Sequence, residues 1–158
     1  FWAQCLAAHE GMVYCGGSRL DPTIKVIDTA TWTVVGQMEG HTNCIRQLAV
    51  WEDKVISCRS DKTIKVWRTG GDRACEQTLR GHTEPVRRMA VVGNKLVTGS
   101  FDKTLRVWGM RRGSVAWECE RVLDDHASGV TAMVCTKDAR RLLSCDDAKQ
   151  MLVWEERG

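Results

Sequence analysis

Among the 158 residues, the side chains best suited to chemistry are eight cysteines and four histidines. Thiolates and imidazoles together could bind zinc, but structural zinc takes its ligands in closely spaced pairs. Cys5, Cys15, Cys44, Cys58, Cys75, Cys119, Cys135 and Cys145 contain no Cys-x-x-Cys, and His41, His82 and His126 stand in no ligand-like spacing to them. No metal is expected. In a small secreted protein the cysteines would read as a disulfide framework. Here Cys58 and Cys145 share one position of an internal repeat and Cys75 and Cys119 another, as small apolar residues do when they fill equivalent packing sites. They are expected to be reduced, buried thiols. The chain has no glycine-rich phosphate loop and no nucleophile site outside the repeat, so neither a catalytic residue nor a cofactor is expected.

Composition narrows the classes further. With 43% hydrophobic and 27% charged residues and two prolines, the chain can bury a core and belongs among globular domains. Its 23 basic and 20 acidic side chains leave a formal charge of +3, too small for the one-signed field that draws proteins onto phosphate backbones. Arg87-Arg88 and Arg111-Arg112 are short basic pairs of the kind usually solvated, and no nucleic-acid partner is expected. No apolar run approaches the ~20 residues of a spanning helix, and no signal peptide is evident. The chain is expected in the cytoplasm or the nucleus. It opens Phe1-Trp2-Ala3 without an initiator methionine, so further segments could precede it.

The elements that must position these side chains emerge from internal self-similarity. Gly40-His41 runs to Lys65-Val66-Trp67, Gly81-His82 to Arg106-Val107-Trp108, and Asp125-His126 to Leu152-Val153-Trp154. The closing tryptophans lie 41 and 46 residues apart, and the last copy carries two extra residues in the turn at Lys137 to Arg141. A degenerate copy precedes them, with Thr23-Ile24-Lys25-Val26-Ile27-Asp28 matching Thr63-Ile64-Lys65-Val66-Trp67-Arg68. A period of this length means a stacked or radial repeat. Within each copy, apolar residues alternate in short runs between turn residues, the period-two signal of strands. Four strands per copy are predicted, running in the third copy over Val86 to Val92, Lys95 to Ser100, Thr104 to Trp108 and Trp117 to Leu123. In the second they are Ile45 to Val50, Lys54 to Arg59, Thr63 to Trp67 and Ala74 to Leu79. No segment reads as a helix.

These Gly-His pairs, Ser-x-x-Asp-Lys-Thr-like turns and closing tryptophans resemble the WD40 (WD-repeat) family across the whole chain. Arg68, Gly109 and Glu155 stand where that family's final aspartate would be, and Ile27 replaces the first tryptophan. The resemblance implies an all-β propeller of about four blades of four-stranded antiparallel sheet, at about residues 1–38, 43–79, 84–123 and 128–158, the last without its outer strand. It also implies, in each blade, a hydrogen-bonded network of histidine, a strand hydroxyl, a turn aspartate and tryptophan. These would be His41, Ser57, Asp61 and Trp67 in the second copy, and His82, Thr98, Asp102 and Trp108 in the third. The fourth keeps His126, Ser144 and Trp154 but has Ala148 at the aspartate position and Asp147 one residue early, so its network is expected to be incomplete. The first has Asp21 but Cys15 for the hydroxyl. A serine, histidine and aspartate could suggest a hydrolase triad, but a trio recurring once per blade beside a tryptophan is better explained as structure.

Fifteen strands fall short of the family's usual ring of about seven blades. A fragment is therefore expected, or a half-ring completed by a second copy, because an open array would expose apolar sheet faces. Partners would be other proteins or peptides, together with remaining blades of the same longer chain or a second copy. In the family, contacting residues lie at the start of the innermost strand and just before the turn aspartate. Here these are Trp2, Gln4, Arg46, Pro85, Arg87 and Thr131, with Leu20, Ser60, Phe101 and Asp147. Trp2, Arg46, Arg87 and Phe101 form the sharper set, since aromatic and arginine side chains supply most interface hot spots, although Arg46 and Arg87 could equally be solvated charges. Trp51, in a turn on the opposite face, could mark a second contact. The function implied is a non-catalytic interaction scaffold. The alternative is the targeting module of a larger enzyme, such as the substrate receptor of a ubiquitin ligase or the docking domain of a kinase. Trp108-Gly109-Met110-Arg111 approaches the Trp-Asp-x-Arg box of cullin-bound propellers but lacks the aspartate.

Overall fold

Strand formation follows directly from the alternation of apolar residues. The computed structural model describes residues 3–110 and 114–155, and no helix occurs among them. The first sheet contains β1 (Cys5–His9), β2 (Met12–Gly16), β3 (Ile24–Asp28) and β4 (Thr33–Met38). The second contains β5 (Ile45–Trp51), β6 (Lys54–Arg59), β7 (Ile64–Arg68) and β8 (Cys75–Leu79). The third contains β9 (Val86–Val92), β10 (Lys95–Ser100), β11 (Leu105–Met110) and β12 (Trp117–Leu123). The fourth contains β13 (Val130–Cys135), β14 (Arg141–Asp146) and β15 (Met151–Glu155). Every sheet is a meander in which each strand pairs antiparallel with the next in sequence. The third strands of the second and third sheets start and end a residue or two beyond their predicted limits.

The chain divides into two compact units, Phe1–Arg80 with the first two sheets and Gly81–Gly158 with the last two. In the first unit, Tyr14, Ile24, Val26 and Met38 of one sheet pack against Ile45, Leu48, Val55 and Trp67 of the next. In the second, Val97 and Leu105 pack against Val130 and Leu142. Within each unit a first strand lies close against the second strand of the preceding sheet, and that approach demands a small residue. A Cβ at Gly16 would come within 3.0 Å of Ile45, and one at the equivalent Gly99 within 2.7 Å of Val130 and of Met133.

Two irregularities recur at fixed places. The turn between second and third strands carries a lysine in the left-handed region in three copies, Lys62 (φ 70°), Lys103 (φ 70°) and Lys149 (φ 64°). The pairing of first and second strands slips by one residue between Ile45 and Gln47, across Gly99 and Ser100, and between Val130 and Ala132. Each slip is a β-bulge, and the extra residue it leaves without a cross-strand partner is Arg46, Arg87 or Thr131.

The cysteines partly depart from expectation. All eight are free, and Cys15, Cys44 and Cys58 are buried, whereas Cys119 is exposed. Cys119 and its equivalent Cys75 lie on the outermost strand of their sheets, where one face is open to water. There they accept contacts from Arg106 Nη1 at 3.6 Å and Lys65 Nζ at 3.8 Å.

Candidate functional site

The chemistry-bearing side chains gather at two places in each sheet: a buried network around the histidine, and the bulged residue at the entrance to the first strand. In the third sheet the network is fully formed. His82 Nε2 lies 2.8 Å from Thr98 Oγ1, which also accepts the Trp108 indole N–H at 2.8 Å. His82 Nδ1 lies 2.7 Å from Asp102 Oδ2, and the Thr83 N–H reaches the same oxygen at 3.0 Å. Asp102 Oδ1 accepts from the Thr104 hydroxyl and N–H, at 2.6 and 3.0 Å. Burial raises the Asp102 pKa, but these donors outweigh it and hold the carboxyl below its ordinary value. Burial depresses the His82 pKa, with Asp102 opposing.

The fourth sheet overturns the expectation of an incomplete network. His126 Nε2 lies 2.7 Å from Ser144 Oγ, which accepts from the Trp154 indole at 2.7 Å. The aspartate is Asp146, two residues before the position that the spacing from Ser144 predicts. Its Oδ2 lies 3.2 Å from His126 Nδ1 and accepts the Ser128 N–H, while Oδ1 accepts the Gln150 N–H. Asp146 therefore repeats both duties of Asp102, and Asp147 and Ala148 are exposed. The missed signal was a hydrogen-bond requirement: the turn needs a carboxylate to accept the N–H leading into the third strand, and counting residues does not reveal which acid turns inward.

In the second sheet the network is perturbed. His41 Nε2 meets Ser57 Oγ at 2.6 Å, and the Trp67 indole donates to the same oxygen at 2.8 Å. His41 Nδ1, however, is 3.7 Å from Asp61 Oδ2 and has no hydrogen-bond partner. Arg59, fully buried, brings Nη1 to 3.1 Å from that oxygen. Arg59 occupies the place held by Ser100 and Asp146 in the later sheets, so an ion pair has taken the carboxylate from the imidazole. Burial opposes ionisation of Asp61, but His41, the Thr63 bonds and the Arg59 charge together hold its pKa far below the ordinary range. The first sheet has Asp21 accepting from Thr23 at 2.7 Å, with Cys15 buried.

At the other place the structure brings together residues distant in sequence. Arg46 Nε donates to Ser60 Oγ at 3.0 Å. The Arg87 guanidinium carbon lies 4.2 Å above the centre of the Phe101 ring. Thr131 Oγ1 donates to the Cys145 carbonyl at 3.3 Å, and Asp147 is exposed. Gln4, just before β1, is exposed and its N–H donates to the Gly16 carbonyl at 2.8 Å. Leu20 is 97% exposed. Arg46 and Arg87 thus stand beside residues of the turn between second and third strands, whereas Trp2 and Arg111-Arg112 lie outside the described residues. Trp51 ends β5 and is half-buried.

Among the described residues, no three His, Cys, Asp or Glu side chains are grouped as metal ligands. A family model, "WD domain, G-beta repeat", matches residues 32–68, 73–109 and 117–155. Of the solved structures, the computationally designed Ika8 protein is 28% identical over 98% of this chain and 46% of its own, with a TM-score of 0.82. The computationally designed Ika4 protein is 29% identical over 98% of this chain and 91% of its own, with a TM-score of 0.81. This chain therefore spans less than half of the first and most of the second. None of the curated proteins matches it.

Proposed function

This chain belongs to the WD40 repeat family, and from that premise we propose that it is a non-catalytic interaction module that docks proteins or peptides through the bulged residues of its first strands. One observation carries the reading. The buried histidine–hydroxyl–tryptophan set repeats in the second, third and fourth sheets, as a structural framework must, whereas the bulged places vary: Arg46 and Arg87 give way to Thr131, and the turn residues Ser60, Phe101 and Asp147 are all different. Bulges re-aim side chains away from the ladder, and what varies among copies is free to answer to a ligand. The His-Ser-Asp sets are committed elsewhere, since each serine or threonine hydroxyl already accepts a tryptophan N–H and each histidine is held inside a core.

The test is quantitative retention of cellular proteins on the immobilised chain and on the Arg46→Ala/Arg87→Ala double variant. Loss of a defined subset on the variant, with an unchanged melting curve, supports docking there. Identical retention would mean that both arginines are simply solvated. The targeting-module reading gains nothing from Trp108-Gly109: a Cβ at Gly109 would lie 2.2 Å from Glu120 Oε1 and 2.7 Å from Lys95 Nζ, so an aspartate there displaces an ion pair. Free thiols throughout suit a reducing compartment, the cytoplasm or nucleus.

A further inference from the structure

The geometry points to a carboxylate-bearing peptide as the ligand class of the third sheet, gripped by Arg87 laid on Phe101; this rests on the docking reading above. Phe101 is not a loose surface ring. Its N–H donates to the Pro85 carbonyl at 3.1 Å, and a Cβ on Gly129 would come within 2.4 Å of its ring, so the phenyl is seated against the next sheet's backbone. Arg87 lies over that ring, its guanidinium carbon 4.2 Å from the centroid and its Nε buried without a hydrogen-bond partner. Among the described residues Arg87 has no acidic partner, and the side chain is partly exposed. A guanidinium laid on an aromatic face loses little further freedom on binding, and its remaining edge presents the parallel N–H pair that matches a carboxylate.

The surroundings favour a single acidic side chain over an extended polyanion. Asp147 is exposed, and its N–H donates to the carbonyl of Gly129, which abuts the ring. A phosphate backbone running past Arg87 would meet that charge, while a peptide can place one carboxylate at Arg87 and a neutral or basic residue beside Asp147. The equivalent positions in the other sheets, Arg46 with Ser60 and Thr131 with Asp147, have no aromatic plate and supply no such fixed guanidinium.

The experiment is fluorescence anisotropy on the full chain with labelled Gly-Glu repeat peptides, their Gly-Gln and Gly-Lys counterparts, and a single-stranded oligothymidylate. The glutamate peptide is expected to bind best, weakening about tenfold or more with Arg87→Gln. Phe101→Leu, which keeps apolar packing against Gly129 but removes the π face, should give a comparable loss, and Arg87→Lys should restore binding only in part. Equal binding of glutamate and glutamine peptides overturns the proposal, as does glutamate binding indifferent to both substitutions, or tighter binding of oligothymidylate. If the lysine or glutamine peptide binds best and depends on Arg87 or Phe101, docking at this place stands and its acidic specificity fails. If none of the probes binds and the arginine double variant retains cellular proteins like the parent, both readings fail.

Discussion

A carboxylate buried in a turn must satisfy several donors at once, and in this chain the surrounding residues decide which acid does so. Asp102 serves His82, Thr83 and Thr104; Asp146 serves His126, Ser128 and Gln150. Replacing Asp102 with Asn leaves charge-assisted bonds unmade and should cost about 2 kcal/mol in urea unfolding. Asp146→Asn should lower the urea midpoint as Asp102→Asn does, and Asp147→Asn should leave it unchanged; the opposite ranking would contradict the assignment of Asp146 to the network. The same titrations carry a pH signature. Burial depresses the pKa of His41 and His82, so below about 6.5 the unfolded chain binds more protons than the folded one and stability falls on acidification. The aspartates, also depressed in the folded state, add stability that is present above about 3.9 and lost as pH drops further. The midpoint should decline in two stages from pH 7 downward; a rise on acidification would contradict the assignment.

At the level of the strand, the second strands of the first and third sheets each have one position where bulk is forbidden. Gly16 and Gly99 lie under Ile45 and Val130. Gly99→Val adds atoms where a Cβ alone is too close to Val130 and Met133, and should destabilise by about 2–3 kcal/mol in urea unfolding. Gly93→Ala should cost less than that, because nothing lies within 4 Å of an added Cβ and only the φ of 56° is strained. Period-two alternation made the strands readable, and the Asp-Lys-Thr turns marked where second strands end. The bulges were not readable, because a one-residue slip leaves no trace in an apolar pattern until the partner strand is in place.

For the whole molecule the telling feature is apolar surface on single sheets. Leu6 and Val34 of the first sheet are 63% and 62% exposed, and Val134, Met151 and Val153 of the fourth are 60%, 62% and 55% exposed. On the reading proposed here, further blades of a longer chain or a second copy cover such faces. Light scattering on the purified chain should report a dimer or larger species, or else strong binding of a hydrophobic dye; a monodisperse monomer that binds no dye would refute this. The sequence by itself determined that the chain is a repeat of four-stranded units with a histidine-to-tryptophan framework, because hydrophobic period, turn residues and fixed offsets are local properties. Only the tertiary structure decided that Asp146 completes the fourth network, that Arg59 takes Asp61 from His41, and that Arg87 lies on Phe101. Those outcomes depend on which side chains neighbouring strands and turns bring within hydrogen-bonding or stacking distance, and spacing along one strand carries no record of its neighbour.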